Sequence, residues 1–491
     1  MRQIAVTGRV CPRNAEVKIA QRIAPIEALL WGLLIFLASL VLGQLTSSPA
    51  KAETSIQAMK SFDSTLGEDE YEVWNAHYQT TYVWQRHPQF RAPYTGTNSL
   101  TPNQDKSYTF TATAFLGLRP WRDGEIYLNT ELVQGQAFTG NLVGLGTGTN
   151  GEITRTSGAT LKGYFPRFFL RQTWNLGGER LPLEAAANQL AGIVDANRFV
   201  LTIGKFSALD IFDNNKYAKD SRTQFMSAAN MTHASYDYAS DARGYSWGFA
   251  GEWYQDNWVV RFGRISGPTE PNGPFADYRI DQHYGDQIEI ERGHELGGQP
   301  GAIRVLAWRN QAHLARFSDA LAYGNSVGWV PDPVNGRQYI FNVRQSHQVK
   351  YGLGINVEQG LSNDTGTFFR AMWSDGGSET HAFTEVDRSL AAGVSVKGTQ
   401  WSRADDTLGV SVMINAISAD RRRYLEAGGI SFFIGDGALR YRPETILETY
   451  YSFSLTKCSN ITLDFQRIAN PAYNADRGPV NVVGIRLHAE Y

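Results

Sequence analysis

Val483-Gly-Ile-Arg-Leu-His-Ala-Glu-Tyr491 closes the chain, alternating in polarity without a miss and stopping on an aromatic ring. Val483, Ile485, Leu487, Ala489 and Tyr491 share one face of an extended segment. Gly484, Arg486, His488 and Glu490 share the other. A period of two marks a strand held between an apolar medium and a polar one. The edge strand of a soluble sandwich also satisfies this pattern, so the rest of the chain must separate the two.

The opposite end does so. Residues 1–27 carry Arg2, Arg9, Arg13, Lys18 and Arg22, an apolar run follows from Ala28 to Gly43, and a polar stretch ends in Ala50-Lys51-Ala52. A basic region, a short apolar segment and a small-x-small site predict a secretory signal peptide over 1–52, cleaved after Ala52. A membrane anchor is the rival, since the run lies near the lower length limit for spanning a bilayer. The small-residue site at the right distance favours the leader. Residues 53–73 are then a short N-terminal periplasmic segment and 74–491 a single large domain. In an exported chain, the final nine residues resemble the closing strand of an outer-membrane barrel, which the barrel-assembly machinery reads through its terminal aromatic, here Tyr491.

Composition agrees. No later apolar stretch is long enough for a membrane helix, so any embedding must be by strands. The chain has 48 Gly, 23 Tyr, 25 Phe and 12 Trp with a negative mean hydropathy. A barrel combines these, because its lumen is polar and its aromatics form girdles at both lipid–water interfaces. A net charge of −2 gives no electrostatic support for a nucleic-acid partner. Cys11 precedes the expected cleavage site and only Cys458 follows it. The mature product is therefore expected to have no internal disulfide and to be held by closed backbone pairing.

From Trp74 onward, strand-like segments recur between turns. In Glu125–Val133, Ile126, Leu128, Thr130 and Leu132 oppose Glu125, Tyr127, Asn129 and Glu131. Phe168, Leu170, Trp174 and Leu176 oppose Arg167 and Arg171. Tyr245, Trp247, Phe249 and Trp253 alternate with Ser246, Gly248, Ala250 and Glu252, and after a turn Trp258, Val260 and Phe262 alternate with Arg261 and Gly263. Phe369, Ala371 and Trp373 oppose Arg370 and Ser374; Leu447, Tyr451 and Phe453 oppose Glu448 and Tyr450; Leu463 and Phe465 flank Asp464. The bulky faces are too numerous for one shared core, and the opposite faces are small, polar or charged. That division suits lipid outside and water inside. Ile303–Asn310 fits either parity. Two connections, Glu184–Ala191 and Arg222–Met231, read as partly helical. The fold expected is all-β: a transmembrane antiparallel barrel with short helical segments in its loops, tight turns on the periplasmic side and long loops outside.

Several blocks resemble the carbohydrate-selective porin (OprB) family: His77–Phe90, Pro93–Leu100, Gly204–Ala218, Asp220–Met226, Ile434–Gly437 and Asn470–Pro479. The resemblance covers nearly the whole chain after the leader. It implies sixteen strands and passive passage of sugars across the outer membrane. The departures are the long basic N-terminus, a terminal Tyr where Phe is commoner, and Cys458.

A sugar-selective pore needs hydrogen-bond partners of both charge signs and an aromatic surface along which the apolar ring face slides. Charge-assisted hydrogen bonds are strong and directional. Mixed signs avoid an ion-selective field, and weak binding lets the solute leave. The inward set supplies Glu131, Arg167, Arg171, Glu252, Arg261, Arg370, Glu448 and Asp464, with Tyr127, Phe169 and Tyr450 as stacking surface. Asp210–Arg222, containing Asp213, Asn214 and Arg222 itself, is the constriction candidate. The plainer alternatives are wall charges that merely neutralise each other, and a solvated external loop. Asp210, Asp213 and Asn214 lack the spacing and final Glu of an EF-hand, so neither metal nor cofactor is expected. The expected partners are carbohydrates, outer-membrane lipid and lipopolysaccharide, and the assembly machinery, for a monomer or homotrimer.

Two other classes are weighed against the channel. A barrel enzyme would need a nucleophile placed beside a base, and His294-Glu295 has no second His one helical turn on. A polysaccharide exporter for acidic chains would want a strongly basic lumen, whereas here Glu and Asp are interleaved with Arg.

Overall fold

The computed structural model describes residues 71–153, 158–329, 338–344 and 346–491. The expected leader and most of the segment over 53–73 lie outside them. Among the described residues eighteen strands follow in chain order, and sixteen of them, β1–β4 and β7–β18, form one closed antiparallel barrel. β1 (Trp74–His87) meets β18 (Val480–Glu490) to close it, pairing Gln79 with Glu490 and Trp84 with Ile485. Tyr78 and Tyr491 exchange both backbone hydrogen bonds, at 2.8 and 2.7 Å. Closure satisfies every strand edge, which an open sheet in lipid cannot do.

β2 (Asp105–Trp121), β3 (Gly124–Gln136) and β4 (Lys162–Asn175) lead to a small separate hairpin, β5 (Arg180–Leu183) and β6 (Gly192–Asp195). The wall resumes with β7 (Arg198–Phe206), β8 (Ser246–Gln255), β9 (Trp258–Ser266), β10 (Tyr284–Leu296), β11 (Gln299–His313) and β12 (His347–Gly360). β13 (Thr365–Ser374), β14 (Arg388–Gly398), β15 (Arg403–Ala416), β16 (Glu444–Thr456) and β17 (Ser459–Ala469) complete it. Turns such as Arg122-Asp123, Asp256-Asn257 and Gly297-Gly298 mark one end. The other end carries the long loops, including 137–161, 207–245, 314–346 and 417–443.

The alternation read from the sequence is the alternation of the wall. Leu353 (54 % exposed), Leu463 and Val483 face out, while Tyr127, Glu131 and Arg261 face in and are buried. Trp74, Trp121, Trp174, Trp253 and Trp258 ring the outside near the short turns; Trp247, Tyr351 and Trp373 sit near the long-loop end. These are the two girdles. The parity of Ile303–Asn310 is settled: Ile303 and Val305 face out, and Arg304, Leu306 and Trp308 face in. Arg309 faces out at the long-loop rim, where it and Arg264 both bond Asp286.

Three readings change. Tyr245 was grouped with the outward aromatics, but it precedes β8 and turns into the lumen, where the Arg167 guanidinium lies 4.9 Å from its ring. Glu184–Ala191 is not helical: Ala186 and Gln189 bridge across the tip of the β5–β6 hairpin. In Arg222–Met231 only α1 (Ala228–Met231) is helical, capped by Ser227. The longer helices fall elsewhere, at α2 (Phe317–Val327), α3 (Gln338–Val343) and α4 (Ala419–Glu426).

Candidate functional site

The 207–245 loop does not project from the barrel but runs inside it, because its polar groups find partners on the inward faces of distant strands. Asp213 donates its backbone N–H to Glu289 of β10 (2.7 Å), and Asn215 donates to Asn356 of β12 (2.7 Å). Arg486 of β18 donates to the carbonyls of Ser221 and Gln224, both at 2.7 Å. Asn230 donates to Ser411 and Glu448, both at 2.8 Å. Tyr217 lies over Gly366, where any Cβ would fall about 2.0 Å from the ring. The loop is thus fastened from β10 round to β18.

Its central fastening is buried. Arg370 of β13 meets the Asp213 carboxylate at 3.2 Å and donates to the Asn230 carbonyl at 2.9 Å. Thr232 Oγ1 and the His233 N–H also donate to Asp213, at 2.6 and 2.8 Å. Burial alone would raise the Asp213 carboxyl, but Arg370 and His233 beside it hold it at about 2. Burial pushes the His233 imidazole down to about 4 despite the pull of Asp213. Folded His233 is therefore neutral at pH 7, whereas in a released loop it takes up a proton near its ordinary value of about 6.5. The released loop binds more protons in that window, so this stabilisation is complete above about pH 6.5 and is lost as pH falls toward 4. Conductance should rise reversibly on acidification through the window, and His233→Gln should flatten the profile. A wild-type conductance independent of pH between 7 and 4 would refute the latch.

Two cavities meet at the loop. One, of about 460 Å³, opens toward the long loops and is lined by Glu131, Arg167, Asn214, Arg222, Tyr164 and Tyr245 among others. The second, of about 1010 Å³, opens among the short turns. Lys216, Asp220, Thr223 and Gln224 line both, so this part of the loop stands between the two cavities.

Around the upper cavity, charges are paired. Arg167 forms a two-point contact with Asp210, at 2.8 and 2.6 Å. Arg222 bridges Glu131 (2.9 Å) and Glu152 (2.7 Å). Tyr164 also donates to Glu131, because a bulge at Phe165-Pro166 leaves Tyr164 and Arg167 both pointing inward. Proline supplies no ladder N–H, which suits it to such a bulge. Along the adjoining wall, from β8 to β12, a cross-strand ladder runs from Glu252 to Arg261 (3.1 Å), Glu289 (2.9 Å) and Glu291 (2.7 Å). It continues through Arg304 (2.9 Å) to Glu358 (3.2 Å). Glu358 then accepts the Lys216 N–H at 2.6 Å.

The sequence-derived set divides accordingly. Glu131, Arg167, Asn214 and Arg222 line the upper cavity. Glu252 and Arg261 belong to the ladder. Asp213, Arg370 and Glu448 are instead buried between loop and wall, as is Asp464, which packs against Glu448. The loop that fills the lumen covers them. Arg171 faces inward near the short-turn end, donating to the Asn188 carbonyl at 3.0 Å and holding the β5–β6 hairpin tip in the mouth. Tyr127 and Phe169 are buried away from both cavities and Tyr450 borders the second one, while Tyr164 and Tyr245 stand in the first. The calcium alternative also fails on charge, since Asp210 and Asp213 each face an arginine.

The sequence reading missed Tyr164, Glu152, Glu289, Glu291, Arg304, Glu358 and Arg486 as site residues. Glu289 and Glu291 were legible, because Ile288 and Ile290 alternate with them. Tyr164 was not, since its orientation depends on the bulge.

Two short motif matches lack their structural setting. Gly244-Tyr-Ser-Trp-Gly248 has the spacing of a nucleophile elbow, but Ser246 opens a strand and pairs with Ser266 Oγ at 2.9 Å. Gly146-Thr-Gly-Thr-Asn-Gly151 has the spacing of a dinucleotide fingerprint but lies in the 137–161 loop, outside any strand–helix unit.

The model of a family described as carbohydrate-selective porin, OprB family, matches residues 99–491. The high-pH structure of Pseudomonas putida OprB is similar to this one at a TM-score of 0.61 and 14 % identity, covering 85 % of this chain and 94 % of that one. The outer-membrane channel DcaP of Acinetobacter baumannii gives 0.43 at 9 % identity, covering 87 % of this chain and 99 % of that one. In-vitro folded OmpT of Vibrio cholerae gives 0.44 at 10 % identity, covering 86 % of this chain and all of that one. No curated protein sequence matches. Three of the sequence blocks, 93–100, 434–437 and 470–479, converge in the loops: Asn98 takes a backbone bond to Gly435, and Asn474 and Arg477 both reach Asp436. A sixteen-stranded barrel crossed by its own loop, with that match over residues 99–491, makes this chain a member of the OprB family, a carbohydrate-selective porin integral to the outer membrane and a channel rather than an enzyme.

Proposed function

We propose that sugars descend through the upper cavity, pass the loop at Lys216, Asp220, Thr223 and Gln224, and leave through the wider cavity among the periplasmic turns. The observation that carries this route is that both cavities share those four residues. Arg222, Glu131 and Glu152 offer a sugar alternating donors and acceptors, and Tyr164 and Tyr245 offer ring faces. Each charge is already paired, so a hydroxyl competes with an existing partner and binding stays weak enough for release. The ladder's four carboxylates against two arginines disfavour passage of an acidic polysaccharide.

The leader over 1–52, cleaved after Ala52, belongs to the same reading, as does recognition of the Tyr491 strand by the assembly machinery. Lipopolysaccharide would face the outer girdle. Whether one chain or three assemble is read from the cross-linked mass in native membranes.

Planar-bilayer conductance with a panel of sugars as blockers tests the route. Sugars should block the wild-type current and swell loaded liposomes faster than amino acids of similar size. Arg222→Ala should weaken the block about tenfold, the scale of one charge-assisted hydrogen bond. An unchanged block in this variant would move the route away from the upper cavity.

A further inference from the structure

Outside the permeation path, at the long-loop rim, three histidines converge from different elements. His313 ends β11 and His347 begins β12, and the two oppose each other directly in register. Their ring centroids are 4.4 Å apart. His283, just before β10, brings its ring within 5.2 Å of the first and 5.0 Å of the second. One ligand nitrogen from each lies within 4.8 Å of the others, and the Nε2 atoms of His283 and His347 are 3.1 Å apart.

What lies behind His283 gives the cluster its direction. Its Nδ1 meets Asp277 Oδ2 at 2.7 Å, and Asp277 is held in turn by Arg279 at 2.6 Å. An ionised carboxylate on Nδ1 fixes the proton there and leaves the Nε2 lone pair aimed at the other two rings. Three imidazoles, one oriented by a carboxylate, form the donor set that imidazole-preferring metals take. A tetrahedral ion with metal–nitrogen bonds of about 2.0–2.1 Å requires nitrogens about 3.3 Å apart. The His283–His347 pair already meets this spacing, and a rotation of the His313 side chain closes the remainder. His283 is buried while His347 is exposed, so an ion enters from outside and keeps one position open to water.

We propose that His283, His313 and His347 bind one divalent transition-metal ion of the Zn²⁺ class, with Asp277 as the positioning residue for His283. The ion would clip the outer ends of β10, β11 and β12 to the 267–283 loop. Because it binds the folded barrel, it would raise the temperature at which the barrel unfolds in detergent.

The test uses tag-free full-length protein in detergent, stripped with a chelator and titrated with ZnCl₂ by calorimetry and with Co²⁺ by visible absorption. One ion per chain is expected, with Co²⁺ absorption of tetrahedral intensity. His313→Ala combined with His347→Ala should reduce binding to background, and His294→Ala should leave it unchanged. Asp277→Asn, nearly isosteric, should weaken affinity by about 10- to 100-fold. Heat-modifiable migration confirms that each variant is a folded barrel, and sugar permeation should be unaffected. Failure of the wild type to bind Zn²⁺, or binding that survives the double histidine variant, would overturn the site. Wild-type affinity in Asp277→Asn would overturn the orienting role. Neither outcome bears on the sugar route.

Discussion

Replacing Arg370 with alanine should raise single-channel conductance several-fold and erase the preference for sugars while the barrel stays folded. Arg370 is 1 % exposed and makes three contacts with the loop, to the Asp213 carboxylate and to the carbonyls of Asp213 and Asn230. Its removal leaves Asp213 buried without its strongest cationic partner. Breaking a buried ion pair from one side costs about 3–5 kcal/mol, enough to free the loop at its central fastening but not to open a barrel closed by sixteen paired strands. The loop should become cleavable by added protease in intact vesicles, with heat-modifiable migration unchanged. Pairing the change with Asp213→Leu, as Arg370→Met/Asp213→Leu, should recover much of the wild-type behaviour, because an apolar pair of similar volume leaves no charge unmatched. Wild-type conductance and sugar discrimination in Arg370→Ala would show that the loop is fastened elsewhere.

Leu353→Arg should be the most damaging single change on the outer wall. Leu353 is central in β12, faces outward, and stands opposite Ala307 and Trp373 in register. A soluble protein would tolerate arginine at an exposed position. Facing lipid, the charge costs up to about 2–4 kcal/mol, the full value applying at the midplane. Thr407→Arg, which points into the wide periplasmic cavity, should stay within about 0.5 kcal/mol of wild type. Urea-dependent folding into liposomes measures both. Equal effects at the two positions would contradict the assignment of lipid to one face and water to the other.

The barrel was legible because its wall obeys a local rule. Each strand carries its own orientation in a two-residue period, so Val483–Tyr491 or Glu125–Val133 can be read without knowing its neighbours. Where that rule is ambiguous, as at Ile303–Asn310, only pairing with β10 and β12 fixed the facing. Where it is broken, as at the Phe165-Pro166 bulge, the reading lost Tyr164.

The site was less legible, because facing inward is not the same as facing water. Alternation placed Glu131, Arg167, Arg370 and Glu448 alike on the polar side. Which of them meets solute depends on where residues 207–245 lie, and that loop is fastened by residues as far apart in sequence as Glu289 and Arg486. Side-chain direction along a strand is fixed by the backbone's own pleat, so the chain alone specified the wall, its two faces and its closure. Burial under a loop depends on contacts between residues hundreds of positions apart, so only the folded barrel separated the charges lining the cavities from those holding the loop in place.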